Sequence, residues 1–357
     1  MTGTALTTEI EAALSQAARF PRLRYMGSKY KLAPQLAAVF ADLGIGGTFL
    51  DAFSGSGFVG YLAKALGYQV TSNDYMNYGR VIASAAIASD GHCLPDELIA
   101  RIAGPARDTR DFVQTTFDGV FFDRADRAFI DSAWSHIEYL DGFDRDLALA
   151  ALILSAARKQ PRGVFTISGD LSRYDDGRRD LRIPLRQHFI EHALRWNQTS
   201  IRSGREHLAL QGDAMTLDRT EYDVVYLDPP YAPPSDDADY TKRYHFLEGL
   251  SDYWSGGLGE IMQNTKTKKI PKRHSLFANK RTAEVALRTM FEKFAGSSAL
   301  VVSYSSNSVP GADWMLRELG AVKPRVDVVE VPHTYHFGTH GLATRRQATE
   351  YIFVARD

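Results

Sequence analysis

Cysteine is almost absent from this 357-residue chain: the single one, Cys93, rules out an intrachain disulfide and a cysteine-ligated zinc cluster. Long apolar runs are missing too, with nothing near the ~18 consecutive apolar residues that a membrane-spanning helix needs. Near the start stand Glu9 and Glu11, where a secretory signal would have a basic residue and then an apolar stretch, so the expected location is cytoplasmic. Excess charge is also lacking. The chain has 42 Lys and Arg against 43 Asp and Glu, a formal net charge of -1, and so no whole-molecule pull toward nucleic acid or an anionic membrane. There is no internal repeat and no low-complexity tract. What remains, 44% hydrophobic and 24% charged residues, is the composition of an ordinary globular protein. At about 150 residues per domain, the length allows two domains or one large domain carrying an insertion.

Periodicity gives an outline. Thr8-Glu9-Ile10-Glu11 reads as a capping box opening a short N-terminal helix, with Ile10, Leu14 and Ala18 on one face. A loop from Arg22 to Lys29 leads into a second helical pattern through Leu32, Leu36 and Val39. Thr48 to Asp51 is a short apolar strand that runs into a Gly-rich turn, a helical run through Val59 and Leu66, and a strand from Gln69 to Ser72 closed by Asn73-Asp74. That is a βαβ unit. Further strands read at Tyr222 to Leu227 and Ala299 to Tyr304, and Val326–Val331 with Tyr351–Val354 form a terminal hairpin. Alternating strands and helices predict an α/β fold with a mostly parallel, doubly wound sheet. Residues 91–207 differ in character, with helical patterns such as Leu147 to Ala157 and an aperiodic loop rich in Gly, Arg and Asp from Gln160 to Arg182. The predicted organisation is therefore 1–90, an inserted and mostly helical unit at 91–207, and 208–357.

Two constellations carry chemistry. In Asp51-Ala52-Phe53-Ser54-Gly55-Ser56-Gly57-Phe58-Val59-Gly60, glycines permit a sharp strand-to-helix turn and let a ligand reach bare N–H groups; Gly55, Gly57 and Gly60 spell GxGxxG. Asp74 follows at the distance where a carboxylate accepts from ribose hydroxyls. The ligand is then a nucleotide type, either NAD or S-adenosylmethionine. The second constellation is Asp228-Pro229-Pro230-Tyr231, directly after an apolar strand. Its prolines have no N–H to donate and so end strand pairing. A carboxylate and a rigid carbonyl can both accept from one amino group, beside a tyrosine ring that offers a stacking face.

In order along nearly the whole chain, four segments resemble the Dam-type DNA adenine-N6 methyltransferases, which include the adenine methylases of restriction-modification systems. They are Tyr25-Met26-Gly27-Ser28-Lys29, the Gly-rich loop from Asp51 to Gly57, Gly212-Asp213, and Asp228 to Tyr231. The resemblance implies a Rossmann-like S-adenosylmethionine fold with a target-recognition insertion, acting on a flipped adenine in duplex DNA, with a cognate restriction endonuclease as a further partner. It implies that Tyr25, Lys29, Asp51, Phe53, Gly55, Gly57, Asp74 and Asp213 hold the cofactor. Lys29 would take its carboxylate, Asp74 the ribose and Asp213 the adenine amino group. Asp228, Pro229, Pro230 and Tyr231 would be catalytic, drawing the amine toward tetrahedral geometry while Tyr231 stacks on the base, with no metal. Cytosine-C5 methylation is excluded because Cys93 follows His92 and no Pro-Cys pair exists. Cytosine-N4 methylation poses the same chemical problem and stays open. So do an NAD(P)-dependent oxidoreductase, a silent DNA-binding module, and methylation of RNA or of a protein amide.

Charge is segregated beneath the neutral total. Residues 158–206 hold 11 Lys and Arg against 6 Asp and Glu, residues 266–293 hold 9 against 2, and residues 110–146 hold 4 against 9. The basic blocks predict DNA contacts from Arg158, Lys159, Arg162, Arg173, Arg178 and Arg179 in the irregular loop, and from Lys266, Lys268, Lys269, Lys272, Arg273 and Lys280 in the second block. His333, His336 and His340 mark the hairpin tip, read as a rim facing DNA rather than a metal site because no Glu or Cys joins them.

Overall fold

The computed structural model describes residues 3–161, 163–166, 177–232, 240–255, 260–336 and 345–357. Strands Thr48–Asp51 (β1), Gln69–Asp74 (β2), Leu208–Gln211 (β3), Val224–Leu227 (β4), Ala299–Ser305 (β5), Arg325–His336 (β6) and Arg345–Arg356 (β7) form one seven-stranded sheet in the order β3-β2-β1-β4-β5-β7-β6. The first five run parallel, β7 is antiparallel to β5, and β6 to β7. Helices are Gly3–Ala18 (α1), Ala33–Asp42 (α2), Phe58–Ala65 (α3), Asn77–Ala83 (α4), Asp96–Ile102 (α5), Phe112–Thr116 (α6), Arg124–Ile137 (α7), Gly142–Arg158 (α8), Arg179–Arg182 (α9), Leu185–Thr199 (α10), Tyr240–Asp252 (α11), Ala283–Lys293 (α12) and Ala312–Val322 (α13). Among the described residues, none is long and apolar enough to cross a membrane.

The predicted doubly wound sheet is present. Every residue of β4 and β5 is buried, as apolar parallel strands covered on both faces require. Alternation divides the core: Phe49, Val224, Tyr226 and Val301 pack in one cluster with α1 to α4, the helices of 96–199 and α11, while Leu50, Val225, Leu227, Leu300 and Val302 pack in another with α12 and α13. The helices of 96–199 thus bury their apolar faces in the same core as the N-terminal helices. Trp134 of α7, for instance, donates its indole N–H to the Leu250 carbonyl of α11 at 2.9 Å.

Topology places the site. From β1 the chain moves outward to β2 and β3, then returns to β4 on the other side of β1, so Leu50 pairs with Thr71 on one flank and Val225 on the other. The carboxyl ends of β1 and β4 therefore flank the crevice where strand order reverses, the usual binding position in an open α/β sheet.

Three local expectations change. The N-terminal helix begins at Gly3 rather than at Thr8, which lies inside it. Half-buried Leu6 carries the apolar face of Ile10, Ala13 and Ala17 one turn further back, through the capping signal. β3 went unread because its half-exposed Leu-Ala-Leu-Gln has no period to detect. The terminal hairpin is longer than read, paired from Arg325 with Arg356 to His336 with Arg345. Arg162, Arg173 and His340 lie outside the described residues, as do the side chains of His333 and His336.

Candidate active site

β1 delivers Asp51 to the crevice floor. Its Oδ2 accepts from the Gly60 amide at 3.0 Å, and burial, reinforced by Asp228 nearby, pushes this carboxyl up to about 8. The following loop turns through Gly55 and Gly57, at φ +52° and +75°, a region that side chains resist. Space is also closed at Gly55, where a Cβ would stand 2.9 Å from the Tyr25 ring. Phe53 leaves the loop on the opposite side and meets Phe277 edge-on at 5.2 Å.

β2 supplies Asp74. One oxygen accepts from the Gly55 amide at 2.6 Å and the other from the Met76 amide at 2.8 Å, so a single carboxylate joins the Gly-rich loop to the next turn. Burial pushes it up to about 6 while those two amides oppose the shift. Beside it, Asn73 donates to the carbonyls of Ala52 and Gly212 at 3.1 Å each, tying together the ends of three strands. Asp213 is exposed, and its carboxylate caps the short turn at Ala214–Thr216 by accepting from Met215 at 2.9 Å.

The fourth segment arrives with β4. Asp228 Oδ1 accepts from the Tyr231 hydroxyl at 2.8 Å, and Oδ2 pairs with Lys29 Nζ at 2.7 Å. Lys29 is 5% exposed and also donates to the Gly27 carbonyl at 2.8 Å. Its ammonium stands 5.3 Å from the centre of the Tyr231 ring. Pro229 is buried behind this cluster, Pro230 is half-buried, and Tyr231 packs edge-on against Tyr304 at 5.1 Å. Tyr25 stacks on Tyr244 of α11 at 5.1 Å, and the Tyr244 hydroxyl receives the Met26 amide at 2.8 Å. All four sequence segments are thus gathered at one sheet end, Asp213 at its margin.

The basic blocks are placed unevenly. Lys159 turns inward, pairing with Asp126 at 3.0 Å and donating to the Ile183 carbonyl at 2.6 Å; Arg178 donates to the Pro161 carbonyl at 2.6 Å. Arg158 lies 3.4 Å from Asp180, and Arg179 pairs with Glu191. Of these cations Lys159 is the one turned into the helical layer, whereas Arg179 stays exposed. In the second block Lys266, Lys272 and Lys280 are exposed, Lys268 and Lys269 are half-buried, and Arg273 reaches Glu248 at 3.5 Å.

Sequence reasoning missed Asn73, Tyr244, Glu248 and Phe277. Glu248 is fully buried in α11, accepts from the Tyr78 amide at 3.2 Å, and is pushed up to about 7 by burial. A single glutamate on a helix carries no signal of that role. For Asn73 there was one, its place beside Asp74 at a strand end.

Fold and site together define a methyltransferase class. The family model of the D12 class N6 adenine-specific DNA methyltransferases matches residues 25–138 and 176–288, and the chain belongs to that family. It is an adenine-specific DNA methyltransferase, and S-adenosylmethionine is the cofactor such enzymes use. The chain is 26% identical to the type II methyltransferase M2.HphI of Haemophilus parahaemolyticus over 95% of its own length and 98% of that protein's. It is 25% identical to the modification methylase LlaI of Lactococcus lactis subsp. lactis, over 82% of this chain and 47% of the relative. No solved structure matches it.

Proposed function

We propose that this chain methylates adenine N6 at specific sites in duplex DNA, with Asp228 to Tyr231 as the amine-activating group, as the modification member of a restriction-modification pair. The observation that carries the reading is the meeting of Asp228 with the Gly-rich loop at the strand-order reversal. The names of the two relatives, a type II methyltransferase and a modification methylase, support the paired nuclease. A cytoplasmic location suits such a task.

The crevice suits the cofactor. Buried acceptors there, Asp51 Oδ1 and Asn73 Oδ1, have no hydrogen-bond partner among the described residues, nor has the Ser54 hydroxyl. A ligand rich in donors, with an ammonium group and ribose hydroxyls, would satisfy them. The loop from Phe53 to Gly57 would take the amino-acid end, Asp74 the ribose, and Asp213 the margin. When bound, S-adenosylmethionine supplies an electrophilic methyl on a sulfonium.

The protein's own part is to make a poor nucleophile competent. The adenine amine is planar because its lone pair is drawn into the ring. Asp228 Oδ2 and the Pro229 carbonyl, held by the two prolines, accept its two N–H bonds and free the lone pair. Tyr231 covers the extruded base, its hydroxyl keeping Asp228 oriented. Lys29 occupies Asp228 Oδ2 in the free protein, so it has to withdraw toward the cofactor carboxylate when the amine arrives. Expression in a host lacking adenine methylation is expected to place N6-methyldeoxyadenosine in its DNA at one sequence context, read by nucleoside mass spectrometry and single-molecule sequencing. Unmodified DNA from cells making folded protein would refute the reading.

A further inference from the structure

The basic segment 260–282 is fastened to both walls of the cofactor crevice. On one wall, Phe277 is buried and its ring meets Phe53 at 5.2 Å with planes at 82°, so the segment rests on the Gly-rich loop itself. On the other, Arg273 reaches Glu248 at 3.5 Å and lies 5.4 Å from the centre of the Tyr75 ring. Glu248 in turn accepts from the Tyr78 amide at 3.2 Å, at the start of α4. Tyr75 belongs to the turn that Asp74 organises and Tyr78 to the helix that follows it, and Asp74 also holds Gly55. Elsewhere the segment has little regular structure beyond one short turn at Leu276–Ala278, yet it carries exposed Lys266, Lys272 and Lys280.

From this double attachment we infer that Phe277 and Arg273 are positioning residues that couple cofactor occupancy to the placement of the DNA-gripping lysines of 260–282. The inference rests on the cofactor reading above. A ligand that settles against Phe53 to Gly57 and Asp74 fixes both walls together, and the segment clipped to them loses conformational freedom before DNA arrives. DNA then meets lysines already in place. By linkage the effect is reciprocal: bound DNA raises cofactor affinity by the same factor.

The test uses the full chain and S-adenosylhomocysteine as probe. Hydrogen–deuterium exchange of 266–282 is compared with and without it, alongside calorimetry for the probe and affinity for a random-sequence duplex at low salt. The probe is expected to slow exchange at 270–282 and to tighten duplex binding by about five- to tenfold. In Phe277→Ala and in Arg273→Met both effects shrink below about twofold, while the probe still protects 53–57. Arg273→Met, at a half-buried side chain, is the second variant should Phe277→Ala unfold, and exchange at strand 299–305 reports global loss of fold in either. Protection of 53–57 with no change at 266–282 would overturn the coupling and leave the cofactor site standing. No heat of binding at all would remove both.

Discussion

Replacing Asp228 by Asn changes one oxygen for an amide nitrogen and leaves the Lys29 ammonium without its charge partner. Lys29 and Asp228 side chains are 5% and 18% exposed, so the pair is buried on one side and open to the crevice on the other. Breaking a fully buried pair costs about 3–5 kcal/mol. Here Lys29 retains the Gly27 carbonyl and the Tyr231 ring face, and the Asn carbonyl remains an acceptor, which reduces the expected loss to about 1–2 kcal/mol. The chemical penalty is larger. Removing an aligned electrostatic partner of a developing charge lowers kcat by about 10²–10³, whereas affinity for S-adenosylhomocysteine should rise, by up to about tenfold, because Lys29 no longer has to leave Asp228 to take the cofactor carboxylate. Urea denaturation of the free enzyme, calorimetry with S-adenosylhomocysteine, and initial rates of labelled methyl incorporation into DNA separate the three. Adding Lys29→Met completes a cycle whose stability coupling should exceed about 1 kcal/mol, because the double variant removes both stranded charges. Additive single effects within about 0.5 kcal/mol, or a kcat within about threefold of wild type, would refute the pairing and the amine-activating role respectively.

Two further outcomes follow from the crevice walls. Asp74 titrates at about 6, above an ordinary carboxylate, and a ribose hydroxyl donating to it favours its ionised form. The part of S-adenosylhomocysteine affinity that Asp74 supplies should therefore be full above that value and fall as pH drops through it, by about tenfold between pH 7.5 and 5; calorimetry across that range, with Asp74→Asn expected to bind weakly and to lack that step, checks the sign. Gly55→Ala meets both a left-handed backbone and the Tyr25 ring 2.9 Å away, so it should cost about 1–2 kcal/mol in the melting of the free protein and at least tenfold in probe affinity. A fully tolerated alanine would mean the loop is not tied to Tyr25 as described.

The apolar strands were legible because a parallel strand buried on both faces must be apolar throughout, and Val224 to Leu227 reads that way without any neighbour. The Gly-rich loop and the proline pair were legible for a similar reason: backbone geometry restricts which residues a sharp turn accepts. β3 was illegible, since a half-exposed edge strand of four residues need not alternate. The N-terminal helix start was misread because Thr8 and Glu11 satisfy a capping pattern that the buried face of the helix overrides. Charge says least about where a side chain turns. Lys159 and Arg178 read as cations available to DNA, yet both turn toward the chain's own carboxylate and carbonyl groups, contacts between residues far apart in the chain.

Residue types and their order along the chain thus determined the α/β class, the nucleotide-type crevice and the amine-directed chemistry, because each depends on local backbone rules and on side-chain functional groups. Tertiary structure alone decided that Lys29 lies on Asp228, that Asp74 holds Gly55, and that Phe277 and Arg273 clip a basic segment to the crevice walls. Those are contacts between elements brought together by strand order. Their distances follow from how the sheet and its covering helices pack, which no run of neighbouring residues encodes.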